Sequence, residues 1–180
     1  MEHACKSAEK KGLDIEYHNE NYLNLSLKEN TFDLVTLIYT DFGVLLPEEQ
    51  NRLLSKIYRI LKPDGLFIFD VVNDRRIEGK FSPKSWECTM TGFWRDEPCI
   101  ALSDSYLYED EKVILFQHVV ITENEAMDIY RFWTHLFSPE KLRSLLGDHS
   151  FRILEFNDQI LPATGAWDGE NVTFTVAQKL

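Results

Sequence analysis

The residues best suited to chemistry follow a short apolar stretch in the first half of the chain. Residues 30–39 (NTFDLVTLIY) are almost entirely apolar on both faces, which predicts a strand inside a parallel sheet. Tyr39, Thr40, Asp41 and Phe42 come where this strand ends, and open α/β sheets bind ligands at the carboxyl ends of their strands. Asp41 is therefore a candidate base or orienting residue, and the alternative is that it caps the following turn.

A second group of candidates is aromatic and lies in the region 74–137. Ligand pockets favour aromatic linings, so this region predicts a pocket for an apolar or planar small molecule. Its candidate residues are Trp86, Trp94, Tyr106 and Trp133, joined by His118, which could titrate near neutral pH. The alternative is that these side chains form the core of a small subdomain.

The spacing of histidines, cysteines and glycines argues against two other kinds of site. The five histidines have no ligand spacing and the three cysteines form no C-x-x-C pair, so no metal site is expected. No two of the eight glycines are separated by a single residue. The clustered glycines that let a backbone loop approach a phosphate or nucleotide are therefore missing from the sequence.

The first half of the chain predicts a strand–helix–strand unit. A helix is expected over residues 1–11, and a short strand at 15–18. Pro47 opens a second helix, which the KPDG sequence at 62–65 ends, and residues 65–73 form another buried strand. Two such strands joined by a helix are typical of a right-handed βαβ unit, which indicates an α/β fold.

The second half changes character. Residues 74–98 carry charge and prolines, which predicts a long loop or lid. After it we expect an antiparallel meander of three strands, at 100–110, 111–123 and 126–138. A helix at 138–146 and two final strands, at 151–158 and 171–180, should follow.

Composition and charge restrict the class of protein. A chain of 180 residues and 21.1 kDa has the size of one domain. Its net charge of −11 disfavours partners with phosphate backbones or anionic lipid surfaces, so neither nucleic acid nor membrane is expected. The odd number of cysteines and the absence of an apolar run of about 18 residues indicate a reducing compartment, and we predict a cytoplasmic protein.

Four segments resemble class I S-adenosylmethionine-dependent methyltransferases of the small-molecule type. The stretch 45–73, with its Leu-Lys-Pro-Asp-Gly-Leu-Phe-Ile-Phe-Asp sequence, is the most specific, and the others are 19–25, 32–45 and 135–156. The resemblance implies a partial Rossmann-like methyltransferase sheet carrying an inserted small antiparallel β subdomain. Its α/β domain would comprise residues 1–73 and 138–180, and the inserted lid and roof would comprise 74–137.

The resemblance also implies a cofactor, S-adenosylmethionine, and roles for individual residues. Asn21 and Tyr22 match the family's turn that touches adenine, although the family has an acid where Asn21 stands. Asn21 could equally be a turn residue only. Tyr39, Thr40 and Phe42 would face the methionine part of the cofactor, and the roof would cover a small-molecule acceptor.

One departure from the family is large. Family members begin with a strand that runs into a glycine-rich loop, and this sequence has no such loop. We therefore expect an N-terminally truncated methyltransferase with impaired activity. In the family's strand order, 3-2-1-4-5-7-6, this truncation would expose the edge of strand 32–39, which predicts self-association.

Two alternatives remain open at this stage. A non-catalytic remnant would serve as a self-associating interaction module. An unrelated Rossmann-like enzyme that uses another nucleotide is disfavoured by the missing glycine fingerprint and by the Lys-Pro-Asp-Gly turn.

Overall fold

A computed structural model describes residues 1–80, 84–124, 126–162 and 169–180. Three helices are described: α1 (Glu2–Lys10), α2 (Pro47–Ile60) and α3 (Pro139–Asp148). The strands are β1 (Phe32–Leu37), β2 (Leu61–Val72), β3 (Ser85–Thr89), β4 (Cys99–Tyr108), β5 (Val113–Thr122), β6 (Met127–His135), β7 (Phe151–Asn157) and β8 (Val172–Lys179). Short 3-10 turns cover Asp41–Val44 and Ile77–Lys80.

The first sheet, which we call the main sheet, has the strand order β1-β2-β8-β7. Strands β1 and β2 are parallel and connected by α2, whereas β8 is antiparallel to both β2 and β7. The predicted βαβ unit is therefore present. Leu37 of β1 pairs with Phe69 of β2, so the residues that leave β1 pass beside the following residue of β2, Asp70.

The core of the main sheet lies on one face, beneath α2 and α3. Phe67, Phe69 and Val71 alternate along β2 with no exposed surface, as expected of a strand that buries every second side chain. Leu54 of α2 and Leu146 of α3 pack against this row and are also fully buried. The two helices thus fix one side of the sheet and the position of its carboxyl end.

Helix α2 ends at Ile60, just before the KPDG sequence that was predicted to stop it, but strand β2 begins earlier than predicted. Residues 62–65 lie within β2 as a bulge, because the partner of Phe32 is Leu61 while the partner of Leu34 is already Leu66. The bulge has a tight backbone: a Cβ added to Gly65 would stand 2.9 Å from the Lys62 carbonyl oxygen. The KPDG sequence therefore interrupts the pairing between β1 and β2, and β2 begins earlier than the sequence predicted.

The second sheet, which we call the roof sheet, is antiparallel with the order β3-β4-β5-β6. Strands β4, β5 and β6 are the predicted meander. Strand β3 lies in the segment that the sequence predicted as a loop. The sequence did not indicate this strand because its alternation is too short to distinguish it from an irregular segment. Residue 125, between the strands predicted at 111–123 and 126–138, lies outside the described residues.

The strand predicted at 15–18 is wrong. Residues 13–18 make no β-pairing, although Ile15 and Tyr17 favour a strand. A strand needs a neighbour that satisfies its backbone groups, and none of the described residues pairs with this segment. Across the described ranges, no helix combines the length and apolar composition that a membrane span requires.

Candidate functional site

The end of β1 brings together the residues that the sequence placed there. Tyr39 and Thr40 both adopt left-handed backbone conformations, with φ of 81° and 58°, and Asp41 then starts a 3-10 turn. Residues other than glycine rarely occupy this region, and such residues cluster at functional sites. The chain therefore turns sharply where an open α/β sheet binds its ligands.

Tyr22 reaches this turn from another part of the chain. Its segment is held on α2, because Leu23 is buried in the core and the Lys56 Nζ donates a hydrogen bond to the Leu25 carbonyl at 3.1 Å. The Tyr22 hydroxyl faces the Asp41 carboxylate. Burial, and then Asp41, raise the pKa of Tyr22 to about 12, so this hydroxyl stays protonated and remains a donor at neutral pH.

Asp70 completes the cluster and was missed by the sequence analysis. It lies in β2, only 3% exposed, and its Oδ1 accepts a hydrogen bond from the Thr40 backbone N–H at 3.0 Å. Burial raises the pKa of Asp70, although the backbone N–H groups of Thr40 and Tyr39 act to lower it. An acid inside the apolar run GLFIFDVVN was the signal that could have identified it.

Two of the predicted cofactor-binding residues need correction or a narrower role. Phe42 has no exposed surface and packs 5.1 Å from Phe69 and 5.7 Å from Phe137, centroid to centroid, so it anchors the turn in the core and does not face a ligand. The Asn21 side chain accepts the Leu23 backbone N–H at 2.9 Å, which is the turn role left open by the sequence.

Three of the predicted acceptor-pocket residues share one face of the roof sheet. Trp86 pairs with Leu102 of β4, and Tyr106 and Trp133 both pair with Leu115 of β5, which places all three side chains on the same side. An open pocket of about 330 Å³ lies on this face. Its lining consists of Lys84, Ser85, Trp86, Leu102, Ser103, Asp104, Tyr106, Gln117 and Val119.

Trp94 and His118 lie on the opposite face, so the five predicted residues cannot line one pocket. Their rings are 4.7 Å apart, and His118 also contacts the Ser103 hydroxyl through Nδ1 at 2.8 Å. Tyr130 stacks on Trp94 at 5.2 Å. Burial lowers the pKa of His118, as expected for a histidine that packs in a subdomain core.

The described residues contain no group of three or more His, Cys, Asp or Glu side chains that could hold a metal ion.

Comparisons of the sequence with known proteins find methyltransferases. Residues 1–65 match a family described as the methyltransferase domain. A protein of Geobacillus sp. named as a methyltransferase is 34% identical over 79 residues, which are 43% of this chain and 32% of that protein. The tRNA N(3)-methylcytidine methyltransferase of Drosophila melanogaster is 22% identical over 123 residues, 63% of this chain and 38% of that protein. The chain spans about a third of the length of these curated relatives.

Solved structures agree with the sequence matches. A structure of an S-adenosylmethionine-dependent methyltransferase from Clostridium acetobutylicum covers 99% of this chain and 70% of its own, with a TM-score of 0.66 and 13% identity. The sugar N-methyltransferase structure from Streptoalloteichus sp. covers 97% of this chain and 66% of its own, with a TM-score of 0.62 and 16% identity. Identities this low show a shared fold.

Proposed function

The chain has the fold of class I S-adenosylmethionine-dependent methyltransferases, as its sequence predicted, and from this premise we propose that it transfers a methyl group from S-adenosylmethionine to a small-molecule acceptor. The observation that carries the proposal is the cluster at the end of β1. There Tyr22, Asp41 and Asp70 converge on the sharply turned backbone of Tyr39 and Thr40.

The residues of this cluster fit part of the cofactor. Asn21 and Tyr22 would border the adenine, while the exposed Tyr39, which keeps 93% of its surface, and Thr40 would border the methionine part. The glycine-rich backbone that the family uses beside these groups has no counterpart in this sequence. We therefore expect this chain to bind the cofactor weakly, and its methyl transfer to be impaired.

In the proposed reaction, the Asp41 carboxylate accepts a proton. The bound cofactor supplies an electrophilic methyl group on a sulfonium, and its displacement leaves S-adenosylhomocysteine. An acceptor nitrogen or oxygen that forms the new bond to carbon must lose a proton, and the Asp41 carboxylate would take it. The Tyr22 hydroxyl beside it would orient that carboxylate.

The acceptor would lie against the aromatic face of the roof sheet. Trp86, Tyr106 and Trp133 are each more than 40% exposed there, which leaves apolar rings available to a ligand. The similar Streptoalloteichus protein is named for a sugar acceptor and the similar Drosophila protein for tRNA. A net charge of −11 favours the small molecule, because a polyanion would be repelled.

Calorimetric titration of the protein with S-adenosylhomocysteine tests the first half of the proposal. Saturable binding, even in the range of hundreds of micromolar, is expected. Transfer of a labelled methyl group from S-adenosylmethionine to a panel of amines, sugars and bulk tRNA tests the second half. Turnover with tRNA alone would overturn the small-molecule assignment, and no binding would overturn the cofactor assignment.

The Asp41→Asn variant distinguishes a role in proton transfer from a role in binding the cofactor. It should retain binding of S-adenosylhomocysteine and lose about 10²-fold or more in kcat, the range expected for removing a general base. Glu48→Gln is the matched control, because it removes a carboxylate from the exposed first turn of α2 and should leave kcat unchanged. Equal rates for both variants would remove Asp41 from the mechanism.

A second candidate function rests on the edge of the main sheet. Within the part of the chain that the structure describes, strand β1 pairs on one side only. Leu34 in this strand and Ile38 just after it are 48% and 60% exposed. An apolar edge strand offers unpaired backbone groups to another chain, so a self-associating interaction module is the alternative. Sedimentation at micromolar concentration distinguishes the two: a strictly monomeric protein would exclude the module, whereas a stoichiometric oligomer without cofactor affinity would favour it.

A further inference from the structure

The turn at the end of β1 holds two consecutive residues in a conformation that their side chains disfavour. Tyr39 and Thr40 have φ of 81° and 58°, and neither is a glycine. For L-residues the left-handed region brings Cβ close to the following carbonyl oxygen, so such a pair persists only when the surroundings hold it in place. What holds this turn must therefore be sought in the groups around it.

The holding group on the β2 side is Asp70. Its carboxylate is almost completely buried and accepts the Thr40 backbone N–H at 3.0 Å, and the Tyr39 backbone N–H beside it acts to lower its pKa. Hydrogen bonds to an ionised acceptor are stronger than those between neutral groups, and shielding from water strengthens them further. A buried carboxylate that accepts a backbone N–H of the turn can hold a conformation that would otherwise relax.

The other end of the turn is fixed by Phe42. Its ring packs against Phe69 and Phe137 in the core, so residues 39–42 are held by a carboxylate at one end and by an aromatic contact at the other. Between these two points lie the exposed Tyr39 ring and Asp41, which faces the Tyr22 hydroxyl. The direction in which both side chains point depends on the conformation of the turn.

We propose that Asp70 is a positioning residue, whose buried carboxylate holds the Tyr39–Thr40 backbone in its left-handed conformation and thereby sets Asp41 and Tyr39 for cofactor and acceptor. It acts through the backbone N–H of Thr40 and not by contact with either ligand. Its relevance to methyl transfer rests on the proposed function, whereas its hold on the turn does not.

Asp70→Asn tests the proposal with almost no change in size. The amide has one acceptor oxygen, and its NH₂ group faces backbone N–H donors that need an acceptor. We expect amide hydrogen exchange at Tyr39 and Thr40 to accelerate at least tenfold, the affinity for S-adenosylhomocysteine to fall about tenfold, and kcat to fall by more than KM rises. Asp33→Asn is the control, because it removes an exposed carboxylate of β1 that pairs with Lys62 and should change none of these.

The exchange measurement also separates this inference from the proposed function. If neither protein binds S-adenosylhomocysteine but the two amides exchange faster in Asp70→Asn, the methyltransferase assignment fails and the hold on the turn stands. Unchanged exchange at Tyr39 and Thr40 in a folded Asp70→Asn protein would overturn the inference.

If the Asp70→Asn variant does not fold, hydrogen exchange of the wild-type protein still tests the inference. Slow exchange of the Thr40 amide is then the expected result, because it donates to a buried carboxylate. Exchange at the rate of an exposed loop would overturn the role of Asp70.

Discussion

The two sheets of this protein place their aromatic side chains in opposite ways. In the main sheet, Phe67 and Phe69 stack at 4.6 Å and have no exposed surface. In the roof sheet, Trp86 keeps 72% of its surface exposed, and Tyr106 and Trp133 keep 44% and 43%. The first set stabilises a scaffold by burial, while the second remains available for contacts with a ligand.

The comparison suggests a division of work between the sheets. The main sheet holds a strained turn with a buried carboxylate, and strain of this kind requires a rigid surrounding structure. The roof sheet presents an open, mainly apolar face, whose side chains can be exchanged at little cost to stability. Substitutions on the open face of the roof sheet should therefore leave the turn after β1 undisturbed.

The largest expected difference between the sheets is in stability. Phe69→Ala should lower the free energy of unfolding by about 3–5 kcal/mol, because it leaves a cavity between Phe67 and Phe42. Trp86→Ala should change it by less than about 0.5 kcal/mol, because the ring is mostly in water. Urea denaturation of both variants measures the difference. Similar losses would mean that the roof face is covered in solution.

Two glycines provide a second comparison. A Cβ at Gly65 would stand 2.9 Å from the Lys62 carbonyl oxygen, whereas the nearest atom to a Cβ at Gly92, in the loop before β4, is at 3.8 Å. Gly65→Ala should therefore cost about 1–3 kcal/mol of stability through overpacking, and Gly92→Ala less than about 0.5 kcal/mol. Thermal unfolding of the two variants checks this. A harmless Gly65→Ala would show that the bulge in β2 can relax.

Two residues with left-handed backbone conformations give a third comparison, one in the turn after β1 of the main sheet and one in a turn of the roof sheet. Thr40 and Lys112 have φ of 58° and 54°, but Lys112 lies in the exposed β4–β5 turn. Replacing either by glycine should raise stability by about 0.5–1 kcal/mol, because glycine accepts this conformation without strain.

Binding should then separate the two variants. Thr40→Gly is expected to weaken the affinity for S-adenosylhomocysteine, because it loosens the turn that we propose borders the cofactor, and Lys112→Gly should leave it unchanged. Calorimetric titration of both variants measures this. Equal affinities would argue that the turn at Thr40 has no part in binding.

The smallest expected effect is the pH dependence of stability, which has opposite signs in the two sheets. The pKa of Asp70 is raised by burial, so its contribution to stability is complete below the ordinary pKa of about 3.9 and is lost as the pH rises through the folded value. The pKa of His118 is lowered by burial, so its contribution is present above about 6.5 and is lost as the pH falls below that value.

His118→Gln tests the roof half of this statement. Between pH 7.5 and 5, the wild type should lose more stability than the variant, measured by urea denaturation at each pH. The Gln side chain can still bond to the Ser103 hydroxyl, so the comparison isolates the charge. If the stabilities of wild type and variant change in parallel with pH, His118 is exposed to water in the folded protein.

Much of the fold could be predicted because its signals are local. Strands β1 and β8, helix α2 and the roof meander follow from runs of apolar residues, from alternation and from Pro47 at the start of a helix. The strand expected at 15–18 failed for the opposite reason, since β-propensity provides no pairing partner. Strand β3 was missed because five residues between irregular segments show no clear period.

The candidate site was predicted in part. The position of Asp41 after a buried strand was correct, and its partner Tyr22 came from the family resemblance. Phe42 was assigned to the ligand although it is a core residue, because adjacent residues on a 3-10 turn point in different directions and the sequence does not say which. The roof residues were grouped by type, and only the register separated Trp94 from Trp86.

The sequence by itself determined the α/β class, the strand β1 after which the candidate residues lie, and the family that the chain resembles. Periodicity, turn residues and local motifs are properties of neighbours along the chain, so they can be read without coordinates. Only the tertiary structure decided that Asp70 holds Thr40 and that the aromatic residues of the roof divide between two faces. Both depend on strand register, which joins residues distant along the chain, such as Thr40 with Asp70 and Trp86 with Leu102, and is fixed by the packing of the whole sheet.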